Sequence, residues 1–324
     1  MKRLMIAGAP GIPAHLTTMT SSPLVSICIP TYEGAEFLLP ALDCVRAQTY
    51  QNLEVIFSDD GSKDQTLEII RRFADTSPLP VKVLHHQHTT LAGNWNNCVA
   101  HASGKYIKFL FQDDVIKPDC VEKLVASAEA DPAVSLVFSP RDILFEQTET
   151  ESASARKIAE TCGILHGGWT DLRTIQNGSE LLADPALIDG VWNKFGEPSI
   201  VLIRRQCLID IGGFDPELSQ LIDLDMWYRL CYAGKVAFID ESLSSFRVHP
   251  EQLSVKNALT GEASRDTYTF VRKVINSSYF SLLDPDTRGK FERILLKPVT
   301  PKIPSKIKVF RKRLKKEVKN LFGK

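Results

Sequence analysis

The stretch 25–31 reads Val-Ser-Ile-Cys-Ile-Pro-Thr, a short β-branched and apolar run that ends in polar residues. Such a run is typical of a buried strand. Similar runs recur along residues 25–140, separated by stretches with helical periodicity. We predict strands over 25–29, 53–58, 81–84, 106–111 and 135–138, and helices over 40–48, 65–74, 95–102 and 118–130. This alternation predicts a mostly parallel central sheet with helices on both faces.

Polar residues follow three of these strands at their carboxyl ends, where the ligands of parallel sheets bind. They are Thr31, Tyr32 and Glu33 after the first strand, Asp59 and Asp60 after the second, and Asp113 and Asp114 after the fourth. Hard oxygen donors of this kind suit Mg²⁺ or Mn²⁺ bound to a diphosphate. Each pair taken alone is equally typical of a turn or a helix cap, and Ser62 with Gln65 fits a capping box.

Composition narrows the class of protein. The 324 residues are 44% hydrophobic and 24% charged, which is typical of a globular chain with a sizeable core. No apolar run approaches the length of a transmembrane helix. Seven scattered cysteines without a CxxC spacing indicate reduced thiols and a cytoplasmic location. Basic and acidic residues are equal in number, 39 each, which argues against a nucleic-acid partner.

The second half of the chain contains further candidate residues, each of which has a purely structural interpretation when taken alone. Asp223 lies at a predicted helix start and alone reads as an N-cap, and His249 alone reads as a loop histidine. The stretch 141–168 loses periodicity, which predicts a solvated excursion. The cluster at His85, His86 and His88 favours a surface strand end over a metal site, because only two of the three share a face.

The order of the short motifs is more specific than any one of them. Along the chain they are Ile29-Pro30-Thr31-Tyr32-Glu33, Gln48-Thr49-Tyr50, Ser58-Asp59-Asp60-Gly61-Ser62-Lys63-Asp64, Asp113-Asp114 with Pro118, Gly212-Gly213-Phe214-Asp215, Asp223 with Trp227 and Arg229, and Arg247-Val248-His249. Over residues 23–254 this pattern resembles glycosyltransferase family 2, whose members are inverting enzymes of GT-A fold that use nucleotide-activated sugars.

The resemblance implies a role for each matching position. Pro30, Thr31, Tyr32, Glu33, Asp60, Asn94 and Asp113 would bind the nucleotide, with Tyr32 stacking on the base. Asp114 and His249 would hold Mn²⁺ or Mg²⁺, Arg247 would contact the diphosphate, and Asp223 would be the catalytic base. We expect Glu197 and Ser199 to contact the acceptor, together with the variable region 147–168.

Two positions depart from the family pattern. Many members carry an Asp two places before the aspartate pair, where this chain has Phe111, and a Glu before the base, where it has Ile222. We therefore expect burial or acceptor binding to tune Asp223.

The resemblance also implies a domain organisation. We expect a flexible leader over 1–22, a GT-A catalytic domain over 23–255, a helical extension over 256–296 and a basic tail over 297–324. Within the catalytic domain, 23–140 would bind the nucleotide and 141–255 the acceptor.

The basic tail, residues 297–324, carries eleven Lys or Arg and one acid, Glu317. Its apolar residues recur every three or four positions from Ile307 to Leu321, which predicts an amphipathic helix on an anionic membrane surface. A solvated terminus and a helix docked on the acidic body of the protein are the alternatives.

The sequence therefore predicts metal-dependent, inverting transfer of a sugar from a nucleotide diphosphate sugar, specifically a UDP-sugar, to a hydroxyl of a glycan or lipid-linked acceptor. We expect it to serve bacterial cell-surface polysaccharide synthesis from the cytoplasm or the inner face of the cell membrane. Two alternatives stay open. A sugar nucleotidyltransferase would use similar carboxylates, and a non-catalytic nucleotide-sugar or glycan binding protein could share the scaffold.

Overall fold

The opening stretch forms strand β1, Val25–Thr31, and all seven of its side chains are buried. The structure, a computed structural model, describes residues 22–145, 165–249 and 262–296. The further strands are β2 Leu53–Asp59, β3 Val81–His85, β4 Tyr106–Phe109, β5 Val115–Ile116, β6 Val134–Phe138, β7 Arg141–Phe145, β8 Ile175–Asn177, β9 Val201–Arg204, β10 Lys235–Phe238 and β11 Ser244–Val248. The helices are α1 Leu38–Arg46, α2 Thr66–Thr76, α3 Leu91–His101, α4 Cys120–Glu129, α5 Gly178–Leu182, α6 Arg205–Asp210, α7 Ile222–Ala233, α8 Glu262–Ile275 and α9 Pro285–Leu296.

Eight strands form the central sheet in the order β3-β2-β1-β4-β9-β6-β10-β8. β1 pairs in parallel with β2 and β4, and further parallel pairs join β2 to β3 and β6 to β10. β9 runs antiparallel between β4 and β6, and β8 runs antiparallel at the edge. The predicted mostly parallel sheet is confirmed, with two reversed strands.

Helices cover both faces of this sheet, as predicted. Val25, Ile27 and Ile29 of β1 join a buried core with α1, α2 and α4. Cys28 points to the opposite face, where a second core contains residues of α3 and of α5–α9. The alternation of side chains along a strand explains how one short run supplies both cores.

Three local predictions need correction. α3 begins at Leu91, four residues earlier than predicted, because the Thr90 hydroxyl caps it by accepting from the Gly93 N–H at 3.0 Å. The Ser62 capping box is wrong, since the Ser62 hydroxyl donates instead to the buried Asp59 carboxylate at 2.6 Å. The solvated excursion is wrong for residues 141–145, which form β7.

A smaller sheet with the order β5-β11-β7 lies beside the central one. β11 pairs antiparallel with β5 and in parallel with β7. Because β5 starts directly after Asp114, this pairing brings the end of β11 to the predicted aspartate pair.

The helical extension shares the core of the main domain. Phe270 of α8 lies 5.5 Å from Tyr228 of α7 and 6.3 Å from Phe291 of α9, measured between ring centroids. The predicted leader (except Ser22), the region 146–164 and the basic tail lie outside the described residues. Within residues 22–145, 165–249 and 262–296, no helix combines the length and apolarity that crossing a bilayer requires.

Candidate active site

β1 and β2 pair in parallel as far as their carboxyl ends, where Thr31 lies opposite Asp59. The Thr31 hydroxyl donates to the Asp59 carboxylate at 3.1 Å. Asp59 also accepts from the Ser62 N–H at 3.0 Å, and His85 Nδ1 lies 2.9 Å from it. Asp59 thus fixes the turn that presents Asp60.

Asp60 is buried, and both of its carboxylate oxygens have partners. One accepts from the Thr89 N–H at 2.7 Å, and the other lies 2.8 Å from His88 Nδ1. His86 Nδ1 lies 3.4 Å from the first oxygen. The Tyr32 ring, 47% exposed, lies 4.7 Å from the His88 ring. An exposed aromatic surface therefore lies beside a buried carboxylate, as the resemblance implies for a nucleobase pocket.

The turn after β1 is strained at Glu33, whose φ is +47°. The Glu33 N–H donates to the Ser62 hydroxyl at 2.9 Å, and the Glu33 carboxylate accepts from the Lys63 N–H at 2.9 Å. At Gly34, an added Cβ would lie 2.1 Å from the Gln112 Oε1 atom, so a larger residue there would displace the Gln112 side chain. Gln112 in turn bonds the Tyr32 backbone N–H and C=O, at 3.0 and 3.1 Å.

Asn94 is buried on α3, beneath the same turn. Its Nδ2 group donates to the Thr31 carbonyl at 3.4 Å, and its Oδ1 atom lies 3.3 Å from His86 Nε2. These contacts make Asn94 a support for the strand end.

Asp114 is 2% exposed and lies at the junction of the two sheets. Its carboxylate accepts from the Arg247 N–H at 3.2 Å and from the Ser199 side chain. Burial, and after it the charge of Asp113, raises the pKa of Asp114 well above its usual range. A buried carboxylate in this condition is stabilised by a nearby cation.

The end of β11 supplies basic side chains to the same point. Arg247 Nε donates to the Asp113 carbonyl at 2.9 Å. His249 Nε2 lies 3.0 Å from the Asp113 carboxylate, and the His249 ring packs against Phe37 at 4.2 Å. The structure thus brings Asp113, Asp114, Arg247 and His249 together.

This cluster fits a divalent cation bound jointly with a ligand. His249 is 5% exposed, and its Nδ1 atom has no hydrogen-bond partner among the described residues. Across those residues, no three His, Cys, Asp or Glu side chains converge to hold a metal on their own. A cation held here by Asp114 and His249 would need further ligands to complete its coordination.

Asp223 is the second residue of α7 and keeps part of its surface exposed. The Leu224 N–H donates to one carboxylate oxygen at 2.7 Å, and Asn193 Nδ2 donates to the other at 2.8 Å. Desolvation raises the pKa of Asp223 to about 7 in spite of these bonds, and the charge of Glu197 adds to the increase. A group with this pKa can accept a proton near neutral pH.

The segment 193–199 connects Asp223 to Asp114. Asn193, at one end, bonds Asp223 and also closes a turn with Gly196 through two hydrogen bonds of 2.9 and 3.0 Å. Ser199, at the other end, is 1% exposed and bonds Asp114. Between them, the charge of Glu197 contributes to the raised pKa of both aspartates. The segment 193–199 therefore links the surroundings of the two carboxylates.

Glu197 is fixed by a bidentate ion pair. Arg141 Nε lies 2.6 Å from one Glu197 oxygen, and an Arg141 terminal nitrogen lies 2.7 Å from the other. Beneath this pair, the buried Lys108 ammonium donates to the Ser199 and Phe109 carbonyls. Burial lowers the pKa of Lys108.

The glycine pair ahead of α7 has a structural explanation. Gly212 and Gly213 have φ values of +87° and +73°, and an added Cβ at Gly213 would lie 2.7 Å from Asn96 Oδ1. Asn96 bonds both the N–H and the C=O of Phe214, at 2.8 and 2.7 Å. This motif shapes the chain that leads to Asp223.

The two departures from the family pattern are sites of apolar packing. Phe111 lies 5.0 Å from Trp95 between ring centroids, and Ile222 is fully buried in the core. Acidic side chains at these positions would lose hydration without a partner.

Comparisons with known proteins agree with this fold. A sequence model described as glycosyl transferase family 2 matches residues 26–180. An uncharacterised protein of Mycobacterium tuberculosis is 30% identical over 224 residues, which are 69% of this chain and 67% of that protein. The chondroitin synthase of Pasteurella multocida is 26% identical over 235 residues, 72% of this chain but 22% of that protein.

Two solved structures share the fold. The structure of S. aureus TarS 1-349 in complex with UDP-GlcNAc has a TM-score of 0.61 at 16% identity, covering 92% of this chain and 79% of that chain. The mannosyltransferase PcManGT from Pyrobaculum calidifontis, in complex with GDP-Man and Mn²⁺, has a TM-score of 0.57 at 17% identity, covering 94% and 89%. The chain belongs to glycosyl transferase family 2, has the GT-A fold and is a glycosyltransferase.

For several residues of the site, the sequence did not predict a role there. They are His88, Gln112, Arg141 and Asn193. The histidine cluster was the only available signal, and its proximity to the Asp59–Asp60 pair in the predicted sheet could have identified His88. The other three act through contacts between distant segments, for which no local motif exists.

Proposed function

We propose that the protein transfers a sugar, with inversion and with the help of Mn²⁺ or Mg²⁺, from a UDP-sugar to a hydroxyl of a glycan or lipid-linked acceptor. One observation carries the proposal. Asp114 lies beside Arg247 and the Asp113–His249 pair, Asp223 is bonded to Asn193, and the segment 193–199 runs between the two carboxylates. This arrangement supports donor binding at the first carboxylate and proton removal at the second.

The nucleotide would lie over the ends of β1 and β2. The half-exposed Tyr32 ring offers a stacking surface for the base. Asp60, flanked by His88, offers polar contacts to the edge of the base, and Asp113 would contact the ribose. The nucleotide pocket would be lined by the turn after β1. The residues that form or support this turn are Pro30, Thr31, Glu33 and Asn94.

The diphosphate would lie against Asp114, His249 and Arg247. Asp114 and His249 would hold the divalent cation, which when bound stabilises the negative charge of the leaving diphosphate. Arg247 is bonded to the backbone of Asp113 and can orient a phosphate beside the pair. Ser199 would hold Asp114 in place, because its buried hydroxyl already has partners; we make this assignment instead of the predicted acceptor contact.

Asp223 would take the proton of the acceptor hydroxyl as that oxygen attacks the anomeric carbon. The C–O bond to the diphosphate breaks as the new C–O bond forms, and the electron pair leaves with the phosphate oxygen. A single base suffices for this displacement, and no covalent sugar intermediate forms. Glu197, held by Arg141, would contact the acceptor beside Asp223.

The similarity to a chondroitin synthase supports a polymeric or growing glycan as acceptor. We propose that this serves cell-surface polysaccharide synthesis at the inner face of a bacterial membrane. The domain boundaries given above are part of the proposal.

The test is a panel of nucleotide sugars incubated with the purified protein, with and without Mn²⁺. We expect release of nucleoside diphosphate from one class of donor and, once an acceptor is found, a product of inverted anomeric configuration by NMR. Release of pyrophosphate would instead indicate a nucleotidyltransferase. Donor binding without any release, hydrolysis included, would indicate a non-catalytic protein.

We further propose that the basic tail binds an anionic membrane surface. The support is its charge and apolar spacing alone. Flotation with vesicles containing anionic lipid should recover the full chain and leave a chain ending at Lys297 behind. Equal recovery of both would contradict the proposal.

A further inference from the structure

The carboxylate of Asp266 contacts the backbone just ahead of α7, far from it in sequence. Its Oδ1 atom accepts from the Ser219 N–H at 2.7 Å, and its Oδ2 atom accepts from the Gln220 and Leu221 N–H groups at 2.8 and 2.6 Å. Asp266 is 4% exposed. Three converging N–H donors are sufficient to satisfy a buried carboxylate.

These donors belong to the entrance of the helix that carries Asp223. Leu221 is the N-cap residue of α7, and its own side chain provides no cap. The first N–H groups of a helix have no partner within the helix, and negative charge is favourable at this end. Asp266, on α8, therefore fixes the three residues that lead into α7 and places a negative charge near its N-terminus, two residues before Asp223.

α8 is itself fixed against the same loop and against α7. Lys273 Nζ lies 2.6 Å from the Asp215 carboxylate and 3.0 Å from that of Glu217. The Phe270 ring packs on Tyr228 of α7. Asp266 is thus attached to a helix whose position relative to α7 is set by ion pairs and by core packing.

We propose that Asp266 is a positioning residue for sugar transfer, which fixes the start of α7 and thereby the direction of the Asp223 carboxylate. This inference rests on the proposed role of Asp223. It makes α8 a support of the site, acting through the start of α7. A base displaced by about 1 Å can lose about 100-fold in rate, so a small shift of the α7 entrance has a large effect.

The test compares Asp266→Ala and Asp266→Asn with Val271→Ala, a fully buried residue of the same helix whose apolar side chain cannot accept from the loop N–H groups. Thermal unfolding would establish that the alanine variants are destabilised to a similar degree. Turnover and donor KM would then be measured as diphosphate release well below the unfolding temperatures.

We expect Asp266→Ala to lower kcat at least tenfold with donor KM within twofold of wild type. Asp266→Asn, which keeps one acceptor oxygen, should lose less. Val271→Ala should keep kcat within twofold of wild type at equal loss of stability. If Asp266→Ala does not fold, the kcat and donor KM of Asp266→Asn are compared with those of Val271→Ala, and the same criteria apply.

Three results would overturn the inference: normal kcat in the Asp266 variants, a loss confined to donor KM, or an equal kcat loss in Val271→Ala. Asp223→Asn, assayed in parallel, separates this failure from that of the proposed function. An inactive Asp223→Asn beside a normal Asp266→Ala would refute only the positioning role. A fully active Asp223→Asn would refute the base assignment itself.

Discussion

Asp114 and Asp223 are both carboxylates with a raised pKa, but their surroundings differ in kind. Asp114 has a second carboxylate beside it, and Arg247 and His249 contact the pair. Among the residues that the structure describes, Asp223 accepts from neutral N–H groups, those of Asn193 and Leu224. Desolvation raises both pKa values, whereas the partners decide what each group can bind. The first region suits a cation with phosphates, and the second suits a proton.

The strongest test of this contrast is removal of the proton acceptor. We expect Asp223→Asn to lower turnover by about 100- to 10,000-fold, the usual contribution of a general base, with donor affinity unchanged. Diphosphate release and calorimetric donor binding are the measurements. Asp210→Asn, at the exposed end of α6, is the matched control, and near-normal turnover in Asp223→Asn would remove the assignment.

At Asp114, we expect a substitution to reduce donor binding. Asp114→Asn should weaken donor binding in the presence of Mn²⁺ by about 100-fold, because a cation contact contributes several kcal/mol. Donor binding without metal should change little. Calorimetry with and without Mn²⁺ measures both, with Asp119→Asn as a surface control. A variant that still responds to Mn²⁺ like wild type would show that Asp114 holds no cation.

The raised pKa of Asp223 also lowers the free energy of unfolding at high pH. Its folded pKa is about 7, and its unfolded pKa is about 3.9, so the folded state is destabilised progressively as pH rises between these values. Asp223→Asn should therefore be more stable than wild type by about 1–3 kcal/mol at pH 8 and nearly equal to it at pH 4.5. Urea unfolding at both pH values checks this, and an equal difference at both would contradict it.

The contrast between the regions is also a contrast in what the sequence could predict. Thr31 ends a strand of the parallel sheet, and Asp60 and Asp113–Asp114 follow two others. Because the carboxyl ends of such strands meet at one edge, their proximity can be predicted. Asp223 was found by resemblance to a family, since its local pattern is that of an N-cap. In both regions the chemistry-bearing residues stood in recognisable motifs.

The residues that hold these groups in place do not belong to recognisable motifs. Asn193 and Glu197 reach the site through a turn that Asn193 closes with Gly196. Arg141 reaches it from β7, where the sequence pattern predicts a solvated excursion. Asp266 is separated from its partners by more than forty residues. Such contacts depend on how loops fold over the sheet, and neither periodicity nor spacing encodes that.

The pH dependence of turnover tests the central claim most directly, because it reports the protonation state of Asp223. At saturating donor and Mn²⁺, kcat should rise with pH through about 7. The Asn193 hydrogen bond lowers the pKa of Asp223, so Asn193→Ala should move this rise to higher pH. The charge of Glu197 raises the pKa, so Glu197→Gln should move it to lower pH.

Each shift should be about 0.5–1 pH unit, the size expected for one hydrogen bond or one screened charge. Opposite shifts in the two variants are the result that the account predicts. A rise that stays in place in both variants, or that moves in the same direction in both, would contradict it.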